Sequence, residues 1–184
     1  ANYRFNALSS LHGGYKYNEM KRSYIDVERE QTQEDTFFAR WKLKPSSSVD
    51  IALYAEEGSR DGSTYNALIN ENPTIRKYHL ADRERTNVGA KVDYMATEKL
   101  FLSARADYNK DDYSNSVLGL TEATQPVYTV DITYQPRHNI TTYGYYVHEN
   151  IQSSQNGLDI FMNTGSKWQA DYDDIFNTAG IGAR

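Results

Sequence analysis

The residues in this chain that could do chemistry are a few histidines, one serine–histidine pair, two acidic runs and a set of charges at alternate positions. The four histidines are His12, His79, His138 and His148. None stands at H-x-x-x-H or another ligand spacing, so interfacial or loop histidine is a simpler reading than haem or metal ligation. Ser10 and His12 lie two apart and share one face of a strand, but no Gly-x-Ser-x-Gly elbow accompanies them. A solvated strand wall describes them better than a hydrolase pair. Asp111-Asp112 and Asp171-Tyr-Asp-Asp174 supply the oxygen ligands calcium takes, yet the full calcium-loop pattern is absent. The expectation is no catalytic residue, no metal site and no cofactor bound by this chain.

The alternating charges carry more information. Arg40, Lys42, Asp50, Glu56, Lys91, Asp93, Arg105, Asp107 and Asp131 fall on one side of strand-length segments between Thr36 and Tyr134. The opposite side of those segments holds no Lys, Arg, Asp or Glu. It holds Phe37, Ala39, Trp41, Leu43, Ile51, Leu53, Val88, Val92, Leu102, Val130 and Ile132, among others. A Lys or Arg facing lipid at the bilayer midplane costs roughly 2–4 kcal/mol, so hydrocarbon enforces this separation. A soluble sandwich also segregates its faces, because its inner face is a core.

Stepping along the chain, strands are predicted near 3–17, 36–44, 49–56, 86–95, 100–109, 126–134, 140–148 and 178–184. In the first, Tyr3, Phe5, Ala7, Leu11, Gly13, Tyr15 and Tyr17 share a face, with Leu8 an exception. In 140–148 two facings compete, Ile140 with Tyr146 against Tyr143, Tyr145 and Val147. Short turns at Pro45–Ser48, Met95–Lys99 and Gln135–Asn139 alternate with long polar loops. The loops are Glu19–Glu34, Glu57–Arg85 (with Asn72-Pro73), Asn109–Gln125 and Glu149–Asp174. Alternating short and long connections, with tilted strands of about ten residues, describe an all-β, antiparallel, up-and-down transmembrane β-barrel. Its short turns are periplasmic and its long loops extracellular. With turns of about five residues, Lys42 would face Asp50 across the first such hairpin, with Arg40 one diagonal away.

Composition agrees. The 184 residues suffice for one domain, here part of a single barrel. Mean hydropathy is -0.78, and no apolar run reaches the roughly 18 residues of a spanning helix. Sixteen tyrosines against six phenylalanines suit aromatic girdles at membrane interfaces. There is no cysteine, hence no disulfide, thiolate metal site or covalent haem attachment. A net charge of -5 provides no basic stripe, so no nucleic-acid partner is expected. The chain starts without a signal peptide and stops at what reads as the opening of another strand. It reads as an internal piece of a larger barrel.

Several phrases carry a family resemblance. They are Tyr15-Lys-Tyr-Asn-Glu-Met-Lys-Arg22, Asp26-Val-Glu-Arg-Glu30, Thr86-Asn-Val-Gly-Ala-Lys-Val-Asp-Tyr94, Leu102-Ser-Ala-Arg-Ala-Asp-Tyr-Asn109 and Thr129-Val-Asp-Ile-Thr-Tyr-Gln-Pro136. In these the chain resembles the MtrB/PioB family of decahaem-cytochrome-associated outer-membrane barrels. The resemblance implies a sheath in the bacterial outer membrane. It would surround a periplasmic decahaem c-type cytochrome and let it meet an outer-surface multihaem cytochrome, for extracellular electron transfer. Haem would be carried by the partner. The residues expected to face the lumen or the partner are Arg40, Lys42, Asp50, Lys91, Asp93, Arg105, Asp107 and Asp131. The alternative is a general or substrate-specific outer-membrane porin or transport channel.

Overall fold

The computed structural model describes residues 1–23, 28–66, 76–113, 115–116, 118–159 and 166–184. It contains one sheet of nine antiparallel strands, each paired to the next in chain order. These are β1 (Asn2–Asn6), β2 (Ser9–Lys21), β3 (Gln31–Ser46), β4 (Val49–Gly62), β5 (Arg83–Thr97), β6 (Leu100–Asp112), β7 (Gly119–Arg137), β8 (Ile140–Asp159) and β9 (Ser166–Ala183). The strands are all β with up-and-down connections, as the alternation demands. β1 and β9 do not pair with one another, so this stretch is an arc rather than a closed ring.

Two boundaries differ from the sequence expectation. The strand expected near 3–17 is a hairpin, β1 and β2, joined at Ala7–Leu8. Asn6 makes the turn by accepting the Leu8 N–H at 2.8 Å. Leu8 broke the alternation because it is a turn residue. The remaining strands are longer than expected at the loop ends. β8 and β9 absorb much of the supposed 149–174 loop, and β7 starts at Gly119 instead of 126. In those outer ends both faces are polar, so alternation in hydropathy gives no signal although the ladder continues. Cross-strand polar contacts hold them, including Ser59 to Glu84 at 2.7 Å, Lys110 to Glu122 at 2.8 Å and Ser154 to Asp171 at 2.7 Å. Asn72-Pro73 and the middle of the Glu19–Glu34 loop lie outside the described residues.

The short turns are two residues each: Ala7–Leu8, Ser47–Ser48, Glu98–Lys99 and His138–Asn139. The residue before three of them repeats one device. Asn6, Ser46 and Thr97 each accept the N–H of the residue two further on through a side-chain oxygen. Such side-chain turns compete well with extended backbone and end a strand cleanly.

Register then fixes the tilt. Ser9 pairs with Leu43, so the Ala7–Leu8 turn comes level with 44–45, three residues short of the Ser47–Ser48 turn. Val49 pairs with Tyr94, which puts the Glu98–Lys99 turn three residues beyond Ser47–Ser48 on β4. Leu100 pairs with Tyr134, and His138–Asn139 again falls three beyond on β6. Three residues are about 10 Å along a strand, and two strand spacings are about 9.6 Å across the sheet. A plane through the turns therefore meets the strands at about 45°, the inclination of barrel strands in a membrane.

Among the described residues no second layer covers the sheet. Each strand touches only its chain neighbours among the described elements. The buried apolar side chains of the described residues, Leu80, Ala81 and Tyr113, lie in the long loops and not between sheets. On the uncharged face Phe37 is 64% exposed and Val130 53%. That face carries an unbroken apolar stretch, for example Leu100 to Tyr108 on β6, bordered by Tyr94 and Tyr134 near the turns and by Tyr15, Phe37 and Tyr128 near the loops. An uncovered apolar face of this extent is explained by lipid, whereas a soluble sandwich would have buried it.

Val130→Arg should destabilise the full-length barrel in vesicles by roughly 2–4 kcal/mol, while Thr129→Arg, one residue along, should cost under about 1 kcal/mol. Urea unfolding in lipid reads both. Equal costs would mean that the two faces meet the same surroundings.

Candidate functional site

Alternation within strands and register between them bring all eight sequence-predicted wall residues to one face. Arg40 and Lys42 on β3 share it with Asp50 on β4. Asp50 is opposite Asp93, and Lys91 is opposite Arg105. Asp107 follows on β6, and Asp131 on β7 lies opposite Ser103. The expected Lys42–Asp50 facing is not formed. With a two-residue turn and a bulge between Leu43 and Ser46, Lys42 pairs with Ala52 and Arg40 with Tyr54. Asp50 and Asp93 are directly opposed instead, a like-charge arrangement that is unfavourable alone. Lys44 relieves Asp50 at 3.4 Å and Lys91 relieves Asp93 at 2.8 Å.

Tyr54 was not singled out by the sequence and proves central to this face. Its hydroxyl bonds the Asp107 carboxylate and accepts from Arg105 Nε at 2.9 Å, while Arg105 also grips Asp107 at 2.6 and 2.9 Å. The ring lies flat across Gly89 on the next strand, where a Cβ would collide with it. Tyr143 over Gly182 and Tyr145 over Gly180 repeat the arrangement between β8 and β9. This settles the open facing: Tyr143, Tyr145 and Val147 lie on the ionic side, and Tyr146 joins Val130 and Ala179 on the apolar side. The signal available in sequence was an aromatic residue on the polar side with glycine directly across from it.

At the loop end the same face is capped. Arg60, on β4, donates to the carbonyls of Ala81 at 3.0 Å and Tyr78 at 2.7 Å, which draws the 78–81 turn over the ionic side. Arg29, 5% exposed, donates to Ser63 O and Leu80 O at 2.7 and 2.8 Å. Arg85 holds Asp111 by two bonds of 2.6 and 2.7 Å, so Asp111 is committed to an ion pair. Asp171 and Asp173 sit on β9 and accept from Ser154 and Gln152. Among the described residues no three potential ligands converge on a metal position. His12 turns to Asn2 and stacks near Phe38, and His148 bonds Asn177 at 2.9 Å on the opposite face.

Among the described residues the wall gathers no metal-binding set. It is a broad, hydrated, ion-paired surface whose reverse side is made for hydrocarbon. The family model for MtrB/PioB outer membrane beta-barrel porins matches residues 1–184. The chain belongs to the MtrB/PioB family. It is 33% identical over 186 residues to the outer membrane protein MtrB of Shewanella baltica (strain OS185). The match covers 99% of this chain and 26% of that protein, so the chain spans about a quarter of its curated relative's length. Its place is the bacterial outer membrane, as part of a porin-like MtrB-type barrel.

The cap has a pH signature. Lys77 Nζ hydrogen-bonds the Glu28 carboxylate, which holds that carboxyl below its ordinary range despite burial. A lowered carboxyl adds stability above the unfolded value of about 4.3, and loses it as pH falls through the folded value. Backbone protection at 77–82, read by hydrogen exchange on the full-length barrel, should be constant from about pH 7 to 5 and fall below about pH 4. Glu28→Gln should lower protection at neutral pH and flatten that fall. An unchanged acid profile in the variant would remove Glu28 from the cap.

Proposed function

We propose that this segment is part of the wall of an outer-membrane barrel that sheathes and positions a multihaem c-type cytochrome, allowing electron transfer across the outer membrane. The ionic face, with Arg40, Lys42, Asp50, Lys91, Asp93, Arg105, Asp107 and Asp131, faces the lumen. Strands outside this chain complete the ring. Electrons pass through the partner's haems, from a periplasmic decahaem cytochrome within the barrel to an outer-surface multihaem cytochrome. The barrel binds no haem itself and catalyses no reaction.

The observation that carries this reading is the kinship with MtrB over the whole chain. The physical role follows from dielectric. A haem protein crossing bare hydrocarbon would strip water from its charged surface, at several kcal/mol per ion even after relaxation. A hydrated lumen spares that cost, while the uncharged reverse side keeps the assembly in the bilayer. A general porin is the rival, since a polar lumen also passes solutes.

The two separate on purification of the tagged full-length barrel. The sheath reading expects a haem-staining multihaem cytochrome to co-purify, and the pair in liposomes to reduce an acceptor on the far side. A barrel that captures no cytochrome and passes small solutes freely would establish the porin instead.

A further inference from the structure

The register places four cations on a single cross-strand row of the ionic face. Arg4 pairs with Ser10, Ser10 with Lys42, Lys42 with Ala52, Ala52 with Lys91, and Lys91 with Arg105. The residues between the cations, Ser10 and Ala52, are small and neutral, so nothing on the row interrupts its positive charge. Five strand spacings give an arc of about 24 Å from Arg4 to Arg105. The neighbouring row toward the turns carries Asp50, Asp93 and Asp131, and the row toward the loops carries Arg40 and Asp107. Because strands tilt against the turn plane, the row climbs, from three residues off its turn at Arg4 to seven at Lys91.

The two ends of this row differ. Lys91 and Arg105 are neutralised by Asp93 and Asp107 two residues along their own strands. Arg4, Lys42 and the adjacent Arg40 have no carboxylate in ion-pair reach among the described residues. They surround two adjoining cavities of about 420 and 430 Å³, both lined by Arg4, Ser10, Arg40 and Lys42; the first is also lined by Lys44, Asp50, Lys91 and Asp93, whereas no carboxylate lines the second. Arg40 is steadied by the Tyr54 ring, 5.6 Å from its guanidinium carbon. Cations that share one concavity without a carboxylate partner gain when an anion arrives.

We propose that this basic row, with Arg40, docks an acidic surface of the protein enclosed by the barrel. Carboxylates of that protein occupy the concavity between Arg4, Arg40 and Lys42, near the short-turn mouth. The proposal rests on the sheath reading and names the chemistry of the partner's contact. Its length favours a protein surface over a single small anion. Its two paired cations leave the unpaired charge concentrated at the mouth, where an incoming protein would be met first and steered.

The test uses the full-length barrel co-expressed with its multihaem cytochrome, washed with increasing sodium chloride on an affinity support. The wild type should release cytochrome only at high salt. In Arg40→Gln/Lys42→Gln the half-release concentration should fall about two-fold or more, while Arg40→Lys/Lys42→Arg stays near the wild type. Heat-modifiable gel migration confirms that each barrel has folded. Carbodiimide coupling should join Lys42 to an Asp or Glu of the cytochrome in the wild-type complex. Unchanged retention in the double Gln variant would overturn the docking proposal, as would a wild-type complex in which Lys42 couples only within its own chain. So would a variant whose empty barrel loses anion selectivity while cytochrome retention is unaltered, because the row then serves mobile ions. A wild-type barrel holding no cytochrome at any salt would instead bring down the sheath reading, and this proposal with it.

Discussion

Hydrocarbon provides no hydrogen-bond partner for a peptide group, and the rest of this structure depends on that fact. Inside a bilayer every N–H and C=O must be satisfied within the protein, which for strands requires a continuous ladder. The nine strands supply one from β1 to β9 without a crossover. Once the ladder is obligatory, alternate side chains must meet opposite surroundings. One side becomes uncharged and unlayered, and the other collects the ions. The polar turn devices at Asn6, Ser46 and Thr97 serve the same constraint, because a strand must stop on schedule for its neighbour to rise at the right stagger.

The ionic side is more structured than a merely wetted surface. Arg4, Lys42, Lys91 and Arg105 share one cross-strand row, with Asp50, Asp93 and Asp131 on the row toward the turns and Asp107 on the row toward the loops. Tyr54, Asp107 and Arg105 form a closed polar knot, and glycine opposite each of several tyrosines lets the rings lie against the sheet. A flat ring over a glycine fills the gap left by a missing side chain and keeps the wall even.

Much of this was legible in the sequence, because lipid demands a period of two and the demand shows wherever one side is apolar. Thr36 to Tyr134 read correctly in strand identity and facing for that reason. The outer halves of β7, β8 and β9 did not, since beyond the lipid both faces are polar and a strand there resembles a loop. The β1–β2 hairpin was hidden by its turn: Ala7 and Leu8 are not turn formers, and the decisive residue is Asn6. Cross-strand partners were less legible still. Assuming a turn of five residues instead of two moved Lys42 opposite Asp50, and pairing depends on that small integer. The cap at Arg29, Arg60 and Leu80 had no sequence signal, because it joins residues far apart in the chain through backbone carbonyls.

The central claim is the assignment of surroundings to the two sides. Single cysteines bearing nitroxide labels, placed at Leu53, Val92 and Ile132 and at Ala52, Lys91 and Thr129 of an otherwise cysteine-free full-length barrel in vesicles, test it most directly. The account predicts that oxygen, which concentrates in lipid, relaxes the first three labels strongly, while a water-soluble nickel chelate relaxes the second three. Labels at Leu53, Val92 and Ile132 that are shielded from oxygen and chelate alike would reveal a packed protein interior on that side and contradict the account.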